Sequence, residues 1–222
     1  MPSSRWNHIP LVLSVVKQLK PASILDVGVG FGKWGHLFRE YLDIVPSERD
    51  PDRYYRENWK ITIDGIEGYA PYITPAHEFF YNNIFIGDMR EMLNRLGCYD
   101  VIFLGDVIEH VEKSDGVKFL TNCIAHSSKA VIVTTPARWV EQGAVCNNEL
   151  EVHRSIWTQD DFAAVGPCQT IETDNKILVA IFVKNGVPTP RLSPIVPRGR
   201  ARIYWRIMRH FSSFRSARQL LN

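Results

Sequence analysis

Residues 24 to 35 read Ile-Leu-Asp-Val-Gly-Val-Gly-Phe-Gly-Lys-Trp-Gly. The apolar run that ends at Val27 reads as a buried strand, and Trp34, Leu37, Phe38, Tyr41 and Leu42 fall at helical spacing behind it. Between them Gly28, Gly30 and Gly32 leave no side chain where the backbone turns sharply and approaches a ligand. A strand, a glycine turn and a helix start with unpaired N–H groups make a cradle for a nucleoside cofactor. Asp26 sets the charge: a carboxylate at the strand's end suits an amine or a sulfonium better than a pyrophosphate.

The spacing narrows the choice. A dinucleotide fingerprint, G-x-G-x-x-G/A, counted from Gly28 would need a small residue at position 33, where the chain has Lys33. This disfavours a nicotinamide dehydrogenase. Asp-x-Gly-x-Gly-x-Gly, from Asp26 to Gly32, instead resembles the first motif of the class I S-adenosylmethionine-dependent methyltransferases.

Outward from this motif, apolar runs alternate with helical periodicity, the mark of a mostly parallel sheet covered on both faces. A leading helix spans 9 to 19, ended by Pro21. Strands are expected near 23–28, 61–66, 84–87, 101–105, 130–135, 168–172 and 177–184, the last two joined as an antiparallel hairpin through Asp174-Asn175. Residues 46 to 59 read as an inserted surface loop. Seven strands closing in a C-terminal antiparallel hairpin, an α/β Rossmann-like sheet, is also what the resemblance implies.

Ligands in such sheets bind beyond the carboxyl ends of the strands. Glu67 ends the second strand, where a carboxylate can accept from two ribose hydroxyls; after the third, Asp88 offers an acceptor to an adenine amino group and Met89 an apolar surface. After the fourth comes Asp106-Val107-Ile108-Glu109-His110. The resemblance spans residues 20 to about 185. It implies S-adenosyl-L-methionine as cofactor, with Asp26, Gly28, Gly30 and Gly32 around its methionine part, Glu67 at the ribose, Asp88 and Met89 at the adenine, and Asp106 beneath the sulfonium. Glu67 lies 41 residues past Asp26, against a usual offset of about 20, and the 46–59 insertion accounts for the excess.

Methyl transfer needs alignment, plus a base if the acceptor must lose a proton. The candidates are His110 and His153, the latter in a long stretch after the fifth strand that reads as an acceptor pocket, with Asp106 beside them. The site is read without a metal. The alternative is a divalent ion on Asp106, Glu109, His110 and His153, as in the small-RNA 2′-O-methyltransferases that this set resembles.

The composition bounds the partners. Residues 187 to 222 carry eight arginines and no acidic residue, so the preceding 186 hold 18 basic and 24 acidic side chains. An acidic body argues against nucleic acid and for a small-molecule or glycan acceptor, or a lipid-linked intermediate; RNA methylation and a non-catalytic cofactor-binding module are the alternatives. Four scattered cysteines without a C-x-x-C pair favour a cytoplasmic setting. The expected layout is a methyltransferase domain over 1–186, a Pro-rich linker over 187–198 and a basic amphipathic helix over 199–222. That helix would contact a membrane surface peripherally or a subunit, with Ile203, Tyr204, Ile207, Met208, Phe211 and Phe214 opposite Arg202, Arg206 and Arg209.

Overall fold

The structure is a computed structural model that describes residue 3 and residues 6–193, except 49 and 175. The tail expected to be a basic helix lies outside the described residues. Seven strands form one sheet: β1 (Ser23–Val27), β2 (Thr62–Glu67), β3 (Asn83–Ile86), β4 (Tyr99–Gly105), β5 (Ser127–Pro136), β6 (Gln169–Glu172) and β7 (Ile177–Val183). Their order is β3-β2-β1-β4-β5-β7-β6, parallel as far as β5, with β7 antiparallel to both β5 and β6. The switch in order between β1 and β4 opens a crevice at the carboxyl ends.

Strand alternation sorts the core into two layers. Ile24, Ile63, Val101, Phe103, Ile132, Val179 and Ile181 pack under α1 (Ile9–Leu19) and α2 (Lys33–Arg39). Two further helices, α3 (Pro75–Phe80) and α4 (Met89–Leu93), flank β3 in sequence. Leu25, Val27, Ile102, Leu104, Val131, Val133 and Phe182 face the other way, toward α5 (Lys113–His126) and α6 (Gln159–Val165). The near-continuous apolar strands are what two covered faces demand.

The 46–59 stretch is more ordered than a surface loop. It is a series of short helical turns, and its last residue, Trp59, packs over Arg39, a fully buried cation. Its guanidinium donates to Asp43 (2.6 Å), to the carbonyls of Ile61 (2.7 Å) and Phe80 (3.0 and 3.1 Å) and to Asn82 (2.9 Å), under the Trp59 ring. At the far end, the first residues of the expected linker continue the compact unit: Gln18 exchanges hydrogen bonds with the backbone of Arg191.

Candidate active site

The glycine turn follows β1 as read, with Gly28 and Gly32 in the left-handed region at φ +74° and +80°. A Cβ on Gly28 would also run into Val107, two residues past the end of β4. The turn is held by three side chains. Glu67 accepts from the Gly30 N–H and the Tyr69 N–H, both at 2.8 Å. His77 accepts from the Thr74 N–H at Nδ1 (3.0 Å), so its proton sits on Nε2, which donates to the Gly30 carbonyl (3.0 Å). The Tyr81 hydroxyl accepts from the Gly35 N–H (3.1 Å) and donates to Asp26 (2.6 Å).

That last contact corrects one expectation. Asp26 does not line the crevice. It is buried behind the turn, one oxygen on Tyr81 and the other without a partner among the described residues, and burial, aided by the charge of Glu67, pushes its pKa up to about 7. Gly32 likewise backs onto His77 and lies outside the lining.

The crevice, a cavity of about 160 Å³, is lined by the other residues assigned to the cofactor: Gly28, Gly30, Glu67, Asp88, Met89 and Asp106. Strand order sets their sequence along it: Asp88 beyond β3, Glu67 at β2, the glycine turn at β1, Asp106 at β4. With about 4.8 Å between strands, the first and last lie about 14 Å apart. Each Glu67 oxygen has accepted one bond and can accept another. Burial raises the Glu67 pKa, opposed by those N–H groups. Asp88 is otherwise engaged: it caps α4 through the Arg90 N–H (2.8 Å) and pairs with the Arg90 guanidinium (2.5 Å), which holds its pKa down. Arg90 also lines the cavity. Asp106 adopts φ +56°, a strained backbone for a residue with a Cβ, and accepts from Thr134 (3.3 Å).

Beyond β4 the chain builds a second cluster. Glu109 is 2% exposed; one oxygen accepts from Thr135 (3.0 Å) and the other has no partner among the described residues. Burial first, then the charge of Asp106, raises its pKa well above the carboxylate range. His110 and His153 approach to 4.9 Å between ring centroids. Each places Nδ1 on a backbone carbonyl, His110 on Val152 (3.3 Å) and His153 on Val140 (2.7 Å). A carbonyl only accepts, so both Nδ1 atoms carry protons and both Nε2 lone pairs are free to bind. Ligand atoms of Glu109, His110 and His153 lie within 4.8 Å of one another; Asp106, the fourth member of the alternative metal set, does not join them. His153 reaches the site because its loop is stapled there: the Arg154 and Ser155 N–H groups donate to the Glu109 carbonyl (2.8 and 3.0 Å), and Trp157 donates to Ile108 (3.3 Å). Trp157 is thus fully buried.

No known protein family's model matches the chain, and no curated protein matches it in sequence. Solved structures do match in shape. An O-methyltransferase family protein from Burkholderia thailandensis superposes with a TM-score of 0.51 at 13% identity, covering 78% of this chain. An amino pentose methyltransferase from Micromonospora echinaspora, CalS10, solved with S-adenosylmethionine bound, gives 0.50 at 14%, covering 81% of this chain and 92% of that one. The methyltransferase domain of bacterial CtHen1-C gives 0.53 at 15%, covering 80% and 96%. The fold is that of the class I methyltransferases. The chain spans 54 to 56% of the length of the Burkholderia protein and of two other structures with this methyltransferase fold. Among the described residues no helix is long and apolar enough to cross a membrane.

Proposed function

We propose that the chain binds S-adenosyl-L-methionine and transfers its methyl group to an oxygen of a small-molecule or glycan acceptor. The observation that carries this reading is the gathering of three strand-end groups, Glu67, Asp88 and Asp106, with the glycine turn around one cavity. The residues fit the cofactor: Glu67 retains acceptor capacity for ribose hydroxyls, Met89 offers an apolar surface to the base, and the turn brings bare backbone to the amino-acid arm. The cofactor supplies a methyl group on positive sulfur; the chain supplies alignment.

The acceptor side is the face with His110, Asn148, Leu150 and Glu151, which line the same cavity. Burial and the neighbouring His153 hold the His110 pKa below its ordinary value, so the imidazole is neutral near pH 7 and its Nε2 can take a proton from an acceptor hydroxyl.

The unpartnered oxygen of Glu109 favours a second form of this mechanism, with a divalent cation on Glu109, His110 and His153. One carboxylate and two neutral imidazoles suit ions of intermediate hardness such as Mn²⁺, Fe²⁺ or Zn²⁺. Such an ion would lower the pKa of an acceptor hydroxyl.

Calorimetric titration with S-adenosylmethionine and S-adenosylhomocysteine, followed by a methyl-release assay over phenols, sugars and an RNA control, tests the proposal. Micromolar binding and turnover on a small hydroxyl acceptor are expected. Binding of neither compound overturns it, and turnover on RNA alone overturns the acceptor class.

A further inference from the structure

His8 precedes α1 and plays no part in the sequence pattern, yet it is completely buried, and neither ring nitrogen has a hydrogen-bond partner among the described residues. Its ring lies against Trp34, centroids 5.5 Å apart. The charged groups that face it are Asp106, from the end of β4, and Lys33, from the start of α2. Burial first, and then Lys33, lowers its pKa; Asp106 opposes them. Trp34, Lys33 and Asp106 all line the cavity, together with Ser3. His8 is not itself in the lining but packs directly behind Trp34. Since buried polar groups are normally satisfied, an imidazole with two idle nitrogens one side chain from the cavity points to a partner that arrives with the ligand.

We propose that His8 is a ligand-binding residue: with Lys33 it receives an anionic group of the molecule held in the cavity. On the cofactor reading above, on which this inference rests, that group is the carboxylate of the amino-acid arm, and Asp106 meets its ammonium. The position agrees with the strand order. Asp88 and Glu67 occupy the β3 and β2 end, whereas Lys33, Trp34 and Asp106 stand at the β1 and β4 end, where the arm of an extended nucleoside would finish. One cation, one anion and one titratable imidazole match a zwitterion.

His8 is neutral in the free protein and gains a proton when an anion settles beside it, so binding of an arm-bearing ligand takes up protons and weakens as pH rises. The experiment compares S-adenosylhomocysteine with 5′-methylthioadenosine, the same adenosyl thioether without the amino acid, by calorimetry in two buffers of different ionisation enthalpy at pH 6.5 and 8.5. Wild type is expected to prefer S-adenosylhomocysteine at least about tenfold, with proton uptake for it alone. His8→Gln should cost about tenfold for S-adenosylhomocysteine and leave methylthioadenosine unchanged. Equal losses for both compounds, no loss for either, or equal proton uptake by both in wild type would overturn the assignment. The wild-type comparison stands even if the variant folds poorly. Binding of neither compound refutes the cofactor reading itself, whereas binding of both without preference refutes His8 alone.

Discussion

Asp26 offers the sharpest physical test, because its position behind the glycine turn separates a structural role from a binding one. Its carboxyl titrates at about 7 in the folded chain, against about 3.9 when unfolded. The folded state therefore holds more protons than the unfolded state between these values, and stability falls as pH rises from about 4 to about 7, then levels. At 1.36 kcal/mol per unit, the shift is worth about 4 kcal/mol at pH 8 and about 1.5 kcal/mol at pH 5. Asp26→Asn removes this dependence while leaving a carbonyl to accept from the Tyr81 hydroxyl. Its amide adds a cost of about 1–3 kcal/mol for an unpaired donor, but that cost does not vary with pH. Urea unfolding of both proteins at pH 5 and 8 should therefore show the variant gaining about 2–3 kcal/mol relative to wild type at the higher pH. S-adenosylhomocysteine affinity should stay within about threefold, about 0.7 kcal/mol. Parallel stability profiles would refute the buried-carboxyl argument. A loss of affinity of a hundredfold with stability intact would show that Asp26 touches the ligand after all.

Three further outcomes follow from the contacts. Glu67→Gln presents an NH₂ to one of the two backbone donors that Glu67 now accepts, so S-adenosylhomocysteine affinity should fall at least about tenfold and stability by about 1–3 kcal/mol, read by calorimetry and urea unfolding. Arg90→Ala frees the Asp88 carboxylate and opens the cavity at that end, so binding should be unchanged or a few-fold tighter; a large loss would mean that Arg90 itself holds the ligand. Mn²⁺ or Zn²⁺ at a hundred times its dissociation constant should stabilise wild type by about 2.7 kcal/mol in a thermal melt. Glu109→Gln and His153→Ala should abolish that shift, and a shift that survives both would place any ion elsewhere.

The strands and several of the residues at the cavity were legible because each depends on local pattern: short continuous apolar runs, glycines, and acidic residues at strand ends. Arg39 was not. Its position on α2 reads as a solvent-facing charge, and only the return of Asp43, Ile61, Phe80 and Asn82 from outside that helix makes it a buried anchor. The role of Asp26 was misread for the same reason, since the residue that captures it, Tyr81, lies 55 positions away. Tyr41, placed on the apolar stripe, is 42% exposed because the helical hydrogen-bonding widens from Glu40 onward and turns that face outward. Charge and spacing in the sequence name the polar groups; long-range pairing decides which of them stay available to a ligand.

The end of β4 shows how one short segment serves two chemistries. Toward α1 and α2 it presents Asp106 to Lys33 and His8, a region suited to a charged, flexible arm. Toward α5 the next few residues turn Ile108 into the core and place Glu109 and His110 against the loop that brings His153. The left-handed backbone at Asp106 is where the two directions part. Releasing that strain with Asp106→Gly would lose the carboxylate beside His8 while preserving the fork, whereas Asp106→Asn would keep the side-chain hydrogen bond from Thr134 and remove only the charge. Because the Asp106 charge also helps hold the Glu109 carboxyl protonated, Asp106→Asn should weaken binding of the amino-acid arm and let Glu109, His110 and His153 take a cation at lower pH than in wild type.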